Sequence, residues 1–391
     1  MSKVRPLKIG IVAGEESGDL LGSDIVAALV AATAREVELV GVGGRHLEAH
    51  GLKSLFPAGE IALMGLSAVI RDLPRLVKRI GATARAIAGA KPDCLITIDS
   101  PDFTLRVARK VRALAPGIPI VHYICPSVWA WRPGRAVEMK PYVDHVLCIL
   151  PFEPAELVRL GGPAGTFVGH RLTSDPALIA AAAAQAAPRD WSPDRQKTLL
   201  ILPGSRRGEV SKLIGPFGET VSLLRARGNA LRLVLPTVPH VESMVRQAVS
   251  GWEQKPEIVM DAQAKWQAFG QADAALVASG TVSLELALVG VPMFSCYKLD
   301  AVARMAHRFI KVWSALLPNL IADRPVAPEA YDEFVRPQYL ARALEQLFAD
   351  TPMRAWQTDG FAEVRRRMAT DRPSGVLAAE IVLREIEKRG R

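Results

Sequence analysis

The chain has 391 residues, 49% hydrophobic and 23% charged, which excludes a disordered chain and leaves room for two to three domains. Its net charge of +9 admits nucleic acid, an anionic membrane surface or a phosphorylated ligand as partner. Nucleic acid ranks last, because aromatics are only 6% and no five-residue Lys/Arg block or stacking motif occurs.

Leu7 to Ala13 reads as a strand and Gly14 to Asp19 as a turn. Leu21, Ile25, Ala28, Leu29 and Ala32 then line one helix face, and Val37 to Val42 gives a second strand ending at Gly43 and Gly44. This βαβ unit carries polar residues and glycines where α/β proteins hold ligands. The turn is not GxGxxG, and Glu15, Glu16 and Asp19 would repel a pyrophosphate, so no dinucleotide cofactor is expected in this half.

Between Ile61 and Ile80, an apolar stripe of Leu66, Val69, Ile70, Leu73, Leu76, Val77 and Ile80 runs beside Arg71, Arg75, Lys78 and Arg79. Such a helix either lies on an anionic bilayer or packs on a sheet with its cations snorkelling to water. Asp93 to Ile98 is the next strand, and it delivers Asp99 and Asp102 to its carboxyl end. Both carboxylates are placed for acid/base work, although either can instead be a plain helix cap, Asp102 above all because a helical pattern starts at Phe103. Ile118 to Tyr123 is a strand leading into a loop that bears Trp129 and Trp131. Two tryptophans this close either wall an apolar or sugar ligand or simply pack. His145 to Leu150 is a further strand, closed by Pro151.

Asp175 to Pro193 breaks the rhythm with an alanine run, Ala177 to Ala187, followed by Pro188, Asp190 and Pro193. It reads as a short helix plus linker, hence a domain boundary. The rhythm restarts with the unbroken apolar strand Thr198 to Leu202, stopped by Pro203 and Gly204. Ser205, Arg206 and Arg207 follow, then Val210, Leu213, Ile214, Phe217, Val221 and Leu224 at helical spacing, with Pro216 as a kink or a late start. Strand, glycine turn with cations, then helix is the form of an anion site; the plain alternative is a loop with solvated arginines. Leu231 to Pro236, Glu257 to Met260, Asp273 to Val277 and Val291 to Cys296 read as further strands. At Ser279, Gly280 and Thr281 a buried strand meets a helix start, so hydroxyls, N–H groups and the positive end of the dipole converge. Glu285, one turn on, is placed to accept from a ribose diol; the alternative is a capped helix with a solvated glutamate.

Cys94, Cys125, Cys148 and Cys296 form no CxxC and read as buried, reduced thiols. The seven histidines form no HExxH, and the His46/His50 pair at i,i+4 stands alone; no GxSxG marks a serine nucleophile, and no metal or cofactor is expected. No signal peptide and no membrane span are predicted. The fold class is α/β, in two strand–helix halves.

Six motifs carry a resemblance: AGEESGDLLG at 13–22, DSPDF at 99–103, PSVWAW at 126–131, LPGSR at 202–206, ASGT at 278–281 with Glu285, and LPNL at 317–320. Together, in order and over nearly the whole chain, they resemble the lipid-A-disaccharide synthase family. The resemblance implies two Rossmann-like domains facing across a cleft, the GT-B glycosyltransferase fold. Residues 1–175 would form the acceptor and membrane-facing domain, with C-terminal helices from about 355–391 packing back on it, and 190–354 the UDP-sugar domain. The implied reaction is inverting transfer of 2,3-diacylglucosamine from UDP-2,3-diacylglucosamine to the 6-hydroxyl of 2,3-diacylglucosamine 1-phosphate. It yields the β-1,6 disaccharide phosphate and UDP at the cytoplasmic face of the inner membrane, by a peripherally bound enzyme for which a homodimer is allowed.

On this reading Asp99 is the base and Arg206 stabilises the leaving diphosphate. Gly204, Ser205, Ser279, Gly280, Thr281, Glu285 and Asn319 join Arg206 around the UDP. Glu15, Ser17, Asp19, Ser127, Trp129 and Trp131 face sugar and acceptor. The rivals are a nucleotide-sugar epimerase or hydrolase of the same fold, and a non-enzymatic membrane-surface protein.

Overall fold

The apolar runs form two parallel sheets in the computed structural model, which describes residues 5–62, 69–192, 194–299 and 312–390. The first sheet contains β1 (Leu7–Ala13), β2 (Val37–Val42), β3 (Cys94–Ile98), β4 (Ile120–Tyr123), β5 (His145–Cys148) and β6 (Ala164–Phe167), in the order β2-β1-β3-β4-β5-β6. The second contains β7 (Lys197–Leu202), β8 (Leu231–Pro236), β9 (Glu257–Val259), β10 (Ala274–Ala278), β11 (Met293–Tyr297) and β12 (Glu329–Tyr331), in the order β12-β11-β10-β7-β8-β9. Each sheet belongs to its own unit: Met1–Arg171 with Thr370–Arg391, and Leu172–Ala369.

β3, β7 and β10 are buried along their whole length, which explains why their sequences show no polar alternation. Helices cover both faces of each sheet, and a fully buried side chain such as Ile9 or Phe217 contributes about 1.5–3 kcal/mol. The strand orders matter more for function. In an open parallel sheet the chain reverses its direction of winding at one place, and a crevice opens at the carboxyl ends of the two strands there. In the first sheet that place lies between β1 and β3; in the second it lies between β7 and β10. The loops after β1 and β3 carry Glu15 and Asp99, and those after β7 and β10 carry Arg206 and Gly280.

The amino edges are built differently. Asp93, just before β3, accepts the Lys8 N–H at 2.8 Å, and Asp144, before β5, accepts the Ile120 N–H at 2.7 Å. Asp273, before β10, accepts the Thr198 N–H at 2.7 Å and pairs with Arg189 and Arg195. Each carboxylate satisfies an N–H at the start of a neighbouring strand, so these acids serve the sheet.

Three local expectations change. Helix Arg207–Ala226 starts directly after Arg206 and runs through Pro216. The Thr220 hydroxyl donates to the Pro216 carbonyl at 2.7 Å inside that helix. The alanine run forms helix Pro176–Gln185, capped by Asp175, and packs on helix Ala262–Gln271 of the second unit, where a Cβ on Gly270 would lie 3.1 Å from the Ala184 Cβ. It is an integral helix, with Gln185 donating to Phe269 and Ala272 carbonyls at 2.7 Å each. At the C-terminus, helix Pro352–Met368 stays with the second unit, whereas helix Ser374–Gly390 lies on helix Glu16–Thr33 of the first.

Of the stripe between Ile61 and Ile80, Leu66 and the side chains of Val69, Ile70, Arg71 and Leu73 lie outside the described residues. Leu76 and Ile80 are buried with Phe56 and Ile61, so this part of the stripe is core. Val77 and Lys78 face solvent, with Val77 51% exposed. Arg75 and Arg79 both pair with Glu60 at 3.1 Å.

Candidate active site

The first unit's crevice is acidic. Asp99 ends β3, its N–H donating to the Tyr123 carbonyl of β4 at 3.0 Å. Asp99 and Ser100 both take left-handed backbone angles, with φ of 49° and 42°. For non-glycine residues this costs about 1–3 kcal/mol each and is kept where the surroundings over-determine it. The Thr104 hydroxyl holds the strained turn by donating to the Asp99 carbonyl. Burial pushes the Asp99 carboxyl above the ordinary aspartate range, against the opposing pull of the Ser100 N–H. Asp102 does not cap its helix; it is exposed and accepts from Arg135 at 2.8 Å.

The neighbouring loop after β1 closes on Asp99 through Gly14. A Cβ there would stand 2.5 Å from Ile61 Cγ2 and 3.1 Å from Ser100 Oγ, so the close approach requires glycine. Glu15 and Ser17 are exposed at the start of helix Glu16–Thr33. Asp19 is not available to a ligand. It is 2% exposed, and its carboxylate accepts the N–H groups of Gly44 at 2.6 Å, His46 at 2.8 Å and Leu47 at 3.3 Å. The expected sugar contact is therefore corrected: Asp19 fixes the loop after β2.

The two tryptophans divide their labour. Trp129 donates its indole N–H to Glu153 Oε1 at 3.3 Å and meets Phe152 edge-on at 5.2 Å. Trp131 is 39% exposed, with Arg132 stacked 5.0 Å from its ring, and Ser127 beside them faces solvent. Sequence reasoning missed Glu153. Its Oε2 accepts the Ile149 and Leu150 N–H groups at 3.0 Å each, and burial pushes its carboxyl up to about 7 against those bonds. Among the described residues, Cys125, Cys148 and Glu153 bring two sulfurs and a carboxylate oxygen within 4.8 Å of one another. Both Glu153 oxygens already accept N–H groups, which makes this cluster a packed anchor for the loop.

The second unit's crevice has the opposite character. A cavity of about 320 Å³ is lined by the loops after β7, β8 and β10. Gly204, Ser205, Arg206, Ser279, Gly280, Thr281 and Glu285 all border it. Helix Thr281–Val289 opens at Gly280 with no side chain capping it, so the N–H groups of its first turn and its positive dipole end face the cavity. A Cβ at Gly280 would meet no atom within 4 Å, which leaves the approach open.

The loop after β7 is already partly filled. Glu209 reaches back to the N–H groups of Ser205 and Arg206 at 3.1 and 3.2 Å and pairs with the Arg206 guanidinium at 2.9 Å. Gly204, at φ 109°, leaves room for this; a Cβ would lie 2.5 Å from the Glu209 side chain. The anion site thus centres on the helix after β10, with Arg206 contributing its side chain from across the cavity. A glutamate three residues after the helix-capping position was visible in the sequence.

Other groups in the cavity or behind its wall were not foreseen. His240 Nε2 donates to the Ser205 carbonyl at 2.7 Å. Lys265 Nζ lies 2.8 Å from Glu285 Oε2. Asn319 leaves the ligand contacts altogether. It is 1% exposed, its amide nitrogen donates to Ser314, Ala327 and Glu329, and its oxygen accepts from Val326 and Ala327. With every donor and acceptor used, it ties the 314–329 segment together.

Two Rossmann-like units, one with an open cationic helix end and one with a strained, half-buried aspartate, define a protein of the GT-B glycosyltransferase fold. Solved structures share that fold. The S. aureus MnaA–UDP co-structure is similar with a TM-score of 0.62 at 14% identity, covering 97% of this chain and 96% of that one. Acinetobacter baumannii MurG is similar with a TM-score of 0.58 at 13% identity, covering 97% and 100%. At such identities the likeness shows fold alone.

The sequence narrows it further. The family model described as lipid-A-disaccharide synthetase, LpxB, matches residues 9–379, and the chain belongs to that family. A lipid-A-disaccharide synthase of Rhodopseudomonas palustris (strain HaA2) is 48% identical over 384 residues, covering 97% of each chain. One of Rhodospirillum centenum is 41% identical over 388 residues, covering 99% of this chain and 96% of its own. The chain is thus a glycosyltransferase, and the epimerase alternative is not favoured. No described helix is long and apolar enough to cross a membrane.

Proposed function

We propose that the chain joins two acylated glucosamine units, taking 2,3-diacylglucosamine from its UDP derivative and placing it on the 6-hydroxyl of 2,3-diacylglucosamine 1-phosphate. The observation that carries the mechanism is the uncapped helix end at Gly280, bordering a cavity shared with Arg206. The leaving diphosphate gains negative charge as the anomeric bond breaks. Fixed N–H dipoles at Thr281 and Val282 and the Arg206 guanidinium stabilise that charge more in the transition state than in the bound donor. Arg206, 84% exposed, exchanges its Glu209 partner for the diphosphate.

Asp99 supplies the base. As the acceptor oxygen attacks, its proton passes to the Asp99 carboxylate, whose raised proton affinity suits the transfer. Asp102 is a poor alternative because it lies in open solvent, already paired with Arg135. Glu15, Ser17, Ser127 and Trp131 are the exposed groups left to orient sugar and acyl portions of the acceptor. Incubation with both glucosamine lipids should release UDP, and UDP-sugar alone should release almost none. Equal release in both would make the chain a hydrolase.

The acyl chains place the substrates in a bilayer, so the enzyme works at a membrane surface. Exposed Val77 and Lys78, next to the paired Arg75, support a peripheral contact at this helix. Co-sedimentation with anionic vesicles but not with zwitterionic ones would agree; no sedimentation with either would refute the contact.

A further inference from the structure

Two carboxylates, Glu209 and Glu285, border a cavity that we assign to a diphosphate. Bare carboxylates there would repel the ligand. Glu209 is compensated by two backbone N–H groups, which stay with it when Arg206 turns to the diphosphate. Among the described residues Glu285 has one partner of opposite charge, Lys265, 20 residues earlier on a different helix.

Lys265 is itself held in place. Its Nζ sits 4.3 Å from the centre of the Trp266 ring and 5.6 Å from that of Phe269. Trp266 and Phe269 are buried and meet edge-on at 5.5 Å, so the ammonium rests on a rigid aromatic platform. The ion pair uses Glu285 Oε2, which among the described residues leaves Oε1 for a ligand. Glu285 lies in the second turn of the helix whose N-terminus borders the cavity.

We infer that Lys265 is a positioning residue for donor binding: it neutralises Glu285 beside the diphosphate and fixes its carboxylate for the ribose hydroxyls. The inference rests on the nucleotide reading of this cavity. It makes Lys265 act through Glu285 and not by touching a phosphate, because the aromatic platform and the ion pair already fix its ammonium.

The test is a double-mutant cycle read by calorimetry with UDP, using the full chain. Lys265→Met should weaken UDP binding about tenfold or more, whereas the same change in a Glu285→Gln background should cost less than about threefold. Lys265→Arg, which keeps the ion pair, should restore most of the affinity, and melting temperatures of all variants check folding. In turnover assays Lys265→Met should raise KM for the UDP-sugar more than it lowers kcat. An equal loss in both backgrounds would mean that Lys265 touches the nucleotide itself, and no loss in either would remove it from the site; both overturn the inference while wild type still binds UDP. Absence of UDP binding by wild type would instead overturn the nucleotide reading, and the inference with it.

Discussion

The two units share a plan of six parallel strands, yet their crevices differ in sign. Between β1 and β3 the loops present the exposed Glu15 and the strained Asp99, while Glu16 pairs with Arg45 and Asp19 is taken up by backbone N–H groups. Between β7 and β10 they gather a helix N-terminus and Arg206, Lys265 reaches in from helix Ala262–Gln271, and Glu209 and Glu285 are each matched by a cation. The scaffold places a crevice in both; the loop residues decide whether it takes protons or anions. A sugar transfer needs both, since one oxygen must lose a proton and another must leave as an anion.

The largest effect should come from the acidic crevice. Asp99→Asn is expected to lower turnover by about 10²–10⁴ while leaving UDP affinity unchanged. Because burial raises the Asp99 pKa, the folded chain holds this proton at pH values where the unfolded chain has released it. The ionised side chain therefore costs stability as pH rises through that window, so the asparagine variant should melt no lower than wild type at neutral pH. For the same reason wild-type turnover should fall on acidification already above the ordinary aspartate value of about 3.9. Near-normal turnover by the variant would dissolve the distinction between the crevices.

A smaller effect separates structure from chemistry within the same loop. Asp19→Ala should cost about 1–3 kcal/mol of stability, because it strips a buried acceptor from the Gly44, His46 and Leu47 N–H groups. Denaturant melts should show that loss, with KM for either sugar little altered at a temperature where the variant stays folded. A large KM change without destabilisation would return Asp19 to the ligand contacts. On the cationic side, Arg206→Ala should weaken UDP binding about tenfold in calorimetry, the modest size reflecting its exposure and its release from Glu209. Unchanged affinity would leave the helix end as the sole anion holder.

These contrasts explain what could be read from the residues. β7 and β10 were legible because burial on both faces forces an unbroken apolar run, and the turns at Gly204 and Gly280 follow directly. Asp99 was legible as a carboxylate at a strand end, but its strained turn, held by Tyr123 and Thr104, and its raised pKa, set by burial, come from the fold and could not be. Asp19 and Glu15 sit four residues apart with the same chemistry in the sequence. Only the fold brings the loop 25 residues beyond Asp19 onto one of them. Asn319 misled for the converse reason: a polar residue in a distinctive motif can spend its whole hydrogen-bonding capacity inside the protein. Lys265 and Glu153 left no local signal, because their partners come from other elements.

The most direct test is a crystal structure of the protein with UDP bound. The account predicts the diphosphate within hydrogen-bonding distance of the Thr281 and Val282 N–H groups, with the Arg206 guanidinium turned onto it. A nucleotide seated instead on the Glu15 loop of the first unit would contradict the division between a proton-taking and an anion-holding crevice.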